Sequence, residues 1–180
     1  MDDPTSDLGD VARRLRAEQR EAQEELEEAV EEHARAERDI AAVVLELMHR
    51  GDEVRVAVGE HSFLGHVAHV GTDIVTVVDA ADNAIDVLLP AMRSLRVGEP
   101  GHEAGRARRA EHPVRFRGRL AEAEATGEEI ELGTPEGAPL VGSVISVGVD
   151  HVAFRARDGS EWIVPLGSIV FAIRRPRRRR

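Results

Sequence analysis

Between Glu53 and Val97 apolar and polar positions alternate in short strokes: EVRVAV, SFLGHVAHV, IVTVVD, AIDVLL and SLRV, with Gly or Asp between them. A period of two puts successive side chains on opposite faces of a strand, so the stretch predicts five short strands. The text then repeats. GHVAHVGTDIVTV, from Gly65 to Val77, and GSVISVGVDHVAF, from Gly142 to Phe154, share G-x-V-x-x-V-G-x-D-x-V, and GDEVRV at Gly51 matches GEEIEL at Gly127. Recurrence at a shift of about 76 residues predicts one supersecondary unit used twice. The odd spacing of Val67 and Val70 prevents them from sharing a strand face unless a bulge or sharp bend lies between them. In the second copy, Asp158-Gly159 is a hairpin signal.

Asp7 to Arg50 has no Pro and is dense in Ala, Glu, Arg and Leu, which predicts one long helix. A heptad register runs through Leu8, Leu15, Ala22, Ala29, Ala36 and Val43 at one seam position. Ala12, Gln19, Leu26, His33, Ile40 and Leu47 occupy the other, so the helix is expected to be a coiled-coil arm or a solvated helix. Its apolar end, AAVVLELMHR, stops at Gly51 and is expected to dock on the first strand set. The fold class expected is α+β: a long N-terminal helix followed by two small five-stranded β-barrels, each preceded by helix. The boundaries are 1–50 for the helix, 51–97 for the first barrel and 98–113 for a linker. A short helix and the second barrel fill 114–174, and an Arg-rich tail fills 175–180.

Charge and composition exclude more than they select. The net charge of −10 argues against a surface that is basic all over, though not against a local basic face. All the basic residues other than His are Arg, there is no Cys, and no apolar run approaches the length of a membrane helix. A cytoplasmic protein with no membrane partner is expected. His61, His66 and His69 lie close in sequence, but alternate strand faces separate His66 from His69, so no metal site is expected. The serines lie in no nucleophile elbow, no Gly-rich loop opens a helix, and the carboxylates crowd the first helix. The expectation is a chain that is not an enzyme, with no catalytic residues and no cofactor.

The candidate nucleic-acid contacts are Arg106, Arg108 and Arg109 in the linker, and Arg174, Arg175, Arg177, Arg178, Arg179 and Arg180 at the end of the chain. Such runs neutralise phosphates without reading sequence. Trp162, the single tryptophan, with Arg155 and Arg157 on the neighbouring strand, is a candidate stacking platform for a base or else a core or rim residue.

A short helix followed by five strands, the second bent and carrying G-x-V-x-x-V, resembles the Sm-like barrels of the Sm, LSm and Hfq proteins. It resembles them at Gly65, Val67, Val70, Ile74 and Val77 and at Gly142, Val144, Val147, His151 and Phe154. The overall order is also similar to a group of short proteins of high-GC Gram-positive bacteria. The resemblance implies assembly through strand edges, hence a homo-oligomer, and RNA binding. Gly71, Gly148, Val75 and Val152 depart from that family's nucleotide-contacting positions, so its pocket is not carried over. Two functions are therefore expected: a non-catalytic, RNA-associated protein, or an adaptor acting through its helix and barrel edges, by self-association or with a protein partner.

Overall fold

The computed structural model describes residues 38–98 and 114–176. Its elements run α1 (Ile40–Arg50), β1 (Glu53–Val58), β2 (His61–Val70), β3 (Ile74–Val78), β4 (Ala84–Leu88) and β5 (Met92–Val97). The second copy follows with α2 (Phe116–Thr126), β6 (Glu129–Gly133), β7 (Leu140–Val147), β8 (His151–Ala156), β9 (Glu161–Pro165) and β10 (Phe171–Arg174).

The strands do not form two separate closed barrels. They make one open antiparallel ten-stranded sheet in the order β5-β1-β2-β3-β4-β10-β6-β7-β8-β9. Each copy is a four-strand meander followed by a fifth strand that returns to pair with the first, β5 on β1 and β10 on β6. A five-stranded set could satisfy its edges by closing on itself. Here the edge of β4 is taken instead by β10 of the other copy, with Asp86 opposite Ala172 and Val87 opposite Phe171, so two sets fuse into one sheet.

The expected long helix and its coiled-coil seam are corrected as well. Among the described residues the helix covers only Ile40–Arg50, and Val44, Leu47 and Met48 form its buried stripe, packed into the core of the first copy rather than against a second helix. Leu8 to His33 of the expected seam, and Ala36, lie outside the described residues. The helix ends as a Schellman motif: Gly51 has φ 70°, its N–H donates to the Met48 carbonyl at 3.2 Å, and the Asp52 N–H donates to the Leu47 carbonyl at 3.3 Å.

Both second strands are bulged, with the register shifting between Val67 and His69 in β2 and between Val144 and Ser146 in β7. The extra residue resolves the odd valine spacing and bends each strand across the core. The glycine that opens each repeat permits that bend. A Cβ on Gly65 would lie 2.1 Å from the Val78 carbonyl oxygen, and one on Gly142 would lie 2.0 Å from that of Arg155.

The cores interlock across the joint. Val170 and Phe171 come from the second copy yet belong to the core of the first, where the Phe171 ring meets Phe63 and His61 edge-on at 4.8 Å each. Ile74 of the first copy packs in turn into the core of the second, with Phe116, Leu120, Ile130 and Phe154. Phe171→Ala is therefore expected to lower stability by about 3–5 kcal/mol. It should do so in one transition, seen alike by far-UV circular dichroism and Trp162 fluorescence. Two separated transitions would contradict a shared core.

Candidate functional site: the joint and the free strand edges

The joint is built around a buried carboxylate. Asp86, in the middle of β4, has no exposed surface, and an uncompensated charge there would be strongly destabilising. The Thr76 hydroxyl on the adjacent strand β3 donates to Asp86 Oδ1 at 2.6 Å. Arg174 Nε and its Nη2 each lie 3.1 Å from Asp86 Oδ2, and Arg119 Nε of α2 comes within 4.0 Å of Oδ1. Two cations from the second copy thus compensate an anion of the first. His69 is buried beside this group, and burial first, then the Arg119 charge, lowers its pKa below the ordinary value near 6.5 despite the opposing pull of Asp86.

A second contact fixes the helix. The Phe116 N–H at the start of α2 donates to Asp73 Oδ1 at 2.8 Å, and the Thr72 N–H donates to the Val114 carbonyl at 3.0 Å. Arg115, the residue before the helix, makes no side-chain cap of its own, so the cap comes from the first copy.

The candidate arginines fall into two groups. Arg106, Arg108, Arg109 and Arg177 to Arg180 lie outside the described residues. Arg155, Arg157, Arg174 and Arg175 each face a carboxylate. Arg155 donates to Glu161 at 2.8 Å, Arg157 makes a two-pronged contact with Glu129, and Arg175 pairs with Glu131. The Arg157 hydrogen bond holds Glu129 below the usual carboxylate range, and the same bond raises the guanidinium's own pKa. Arg174, read from the sequence as the start of the tail, is the last residue of β10.

Trp162 stands half out of the sheet on β9, its indole N–H donating to the Ser160 hydroxyl at 2.9 Å. Its strand mate Ile163 is still more exposed. The turn before them holds Gly159 at φ 87° and spans Arg157 to Ser160, so the hairpin is wider than a two-residue loop. The structure brings Trp162 near Arg155 through the register Phe154 to Trp162 and Arg155 to Glu161, but Arg155 is committed to Glu161.

No protein-family model, curated protein or solved structure matches this chain. Among the described residues no cluster of three His, Cys, Asp or Glu could hold a metal ion, and no helix is long and apolar enough to cross a membrane. A groove of about 620 Å³ runs along α2, with Arg115, Arg117, Arg119, Glu122, Glu124 and Val147 on its walls. Its mixed charges converge on no single point. The surfaces that stand out are the two free sheet edges, β5 and β9, which end the strand order.

Sequence reading did not single out Asp86 or Thr76. A charged residue inside AIDVLL, opposite a Thr inside IVTVVD, was the available signal. Replacing Arg174 alone by Val leaves the buried carboxylate undercompensated and is expected to cost about 3–5 kcal/mol. Adding Asp86→Ile should restore most of that loss, because an apolar pair then fills the joint. Equal destabilisation by single and double variants in denaturant unfolding would show that Arg174 does not act through Asp86.

Proposed function

We propose that this chain is a non-catalytic binding protein that works by strand-edge addition, taking an extended segment of a protein partner onto the free edge of β9. The observation that carries the reading is the pair Trp162 and Ile163, both exposed on an edge strand next to unpaired backbone groups. Edge strands of monomeric proteins are normally blunted by charge, Pro or cover, and the centre of β9 is apolar. Main-chain hydrogen bonds then supply affinity and alternate side chains supply selectivity. In this reading the cysteine-free chain acts in the cytoplasm.

The single tryptophan provides the assay. Titration with a peptide of alternating valine and arginine is expected to shift Trp162 emission to the blue in a saturable way. Ile163→Lys, which places a charge on the edge, should abolish the shift. An emission spectrum that the peptide leaves unchanged would overturn the reading.

A second reading is favoured by the run Arg177 to Arg180 and by Arg106, Arg108 and Arg109: an RNA- or DNA-associated protein holding phosphates through these arginines. The four described candidate arginines support it less, because each carries a carboxylate partner. Under this reading, labelled single-stranded RNA binds the full chain with steep salt dependence and loses that binding when the chain ends at Pro176, which removes Arg177 to Arg180 and leaves Arg174 in the joint. Absence of binding at low salt to either form rejects it.

A further inference from the structure

The internal joint can be compared, position by position, with the two ends of the sheet. In β3 and β4, Thr76 lies opposite Asp86; in β8 and β9, Ala153 lies opposite Ile163. In β6 and β10, Ile130 lies opposite Arg174; in β1 and β5, Val54 lies opposite Val97. Arg119 is the fourth residue of α2, and Val43 is the fourth of α1. The four polar groups of the joint, Asp86, Thr76, Arg174 and Arg119, thus have the counterparts Ile163, Ala153, Val97 and Val43.

All four change from polar to apolar together. A single change would leave a buried charge without compensation, whereas a concerted change preserves a consistent joint. These counterparts do not meet within the chain, and three of them are open to solvent: Ile163 is 67% exposed, Val97 45% and Val43 36%. The flanks show the same contrast. Ile40 is 46% exposed where Phe116 is 3%, and Trp162 is 48% exposed where Ile85 is 2%. Asp150, the counterpart of Asp73, carries no helix N–H and bonds the neighbouring His151 ring at 2.8 Å. Scattered exposed apolar residues are ordinary. These lie on the two surfaces equivalent to those that the internal joint brings together.

We propose that the strand received by β9 is β5 of a second copy of this chain. This rests on the strand-edge reading and names its partner. Ile163 then lies opposite Leu95, as Asp86 lies opposite Ala172, and packs on Val97 and Val43 of the second copy as Asp86 contacts Arg174 and Arg119. Trp162 falls opposite Arg96, whose guanidinium can stack on the indole. The contact is heterologous, since each copy offers β9 to one neighbour and β5 to another. Addition therefore continues until a ring closes or a filament forms. Ser94 stands where the internal joint has Phe171, so this contact lacks the aromatic plug and is weaker than the internal one.

Sedimentation velocity of the full chain, from low micromolar to the highest soluble concentration, tests this. The wild type is expected to shift with concentration from the single-chain mass to multiples of it. Ile163→Asp alone and Val97→Arg alone should each weaken association by more than about tenfold. Both residues are exposed, so the circular dichroism spectrum should not change. Ile163→Asp and Val97→Arg in the same chain set Asp against Arg in every contact, as Asp86 and Arg174 are set inside the chain, and association should return. A wild type that stays at the single-chain mass overturns the proposal. Single variants that associate like the wild type overturn it too, as does a double variant that fails to recover. The peptide titration repeated on Val97→Arg, where β9 is free, judges the strand-edge reading separately. A saturable Trp162 response there, with a monomeric wild type, sinks the second-copy partner alone.

Discussion

The buried charge of Asp86 constrains how the two repeats are arranged. A carboxylate with no exposed surface needs compensation in place, and it comes from Arg174 on β10 and Arg119 on α2. Both belong to the second copy. Compensation therefore requires β10 to lie beside β4 and α2 to reach across the joint, the arrangement that also fuses the strands into one sheet. Ion pairs of this kind add little net stability over well-packed apolar residues, but they penalise any arrangement that leaves one partner alone. The joint is accordingly a device for specificity, with the aromatic contacts of Phe171 supplying the burial.

That division of labour explains why the two ends of the sheet differ from its middle. In the middle, polar residues match polar residues across β4 and β10. At the ends, the equivalent positions of β9 and β5 hold Ile163 and Val97. A polar surface cannot satisfy an apolar one, so the internal joint does not compete with the edges for the wrong partner. The glycines at Gly65 and Gly142 and the paired bulges keep both copies in the same bent shape, so equivalent residues stay in equivalent places.

The arginines show how context decides chemistry. Read along the chain, Arg155 and Arg157 look like free cations beside Trp162, and Arg174 and Arg175 like the start of a basic tail. In the fold each finds a carboxylate from another strand: Glu161, Glu129, Asp86 and Glu131. Only Glu161 is near in sequence, six residues away across one hairpin, whereas Asp86 lies in the other repeat. A phosphate would have to displace an existing ion pair at each of these positions.

Local rules were enough to read the strands, the repeat, the bulge between Val67 and Val70 and the helix stop at Gly51, because period-two alternation, spacing and glycine conformation act within a few residues. They also read Ile40–Arg50 as apolar enough to dock. They could not say which strand edge meets which, since the edge of β4 is equally satisfied by its own copy or by the other one. The choice of β10 over self-closure, the sharing of Phe171 and Ile74 between cores, and the partners of Asp86 are long-range packing decisions. They depend on shape and on compensation of a buried charge, so only the tertiary structure settled that two barrel-like texts become one open sheet.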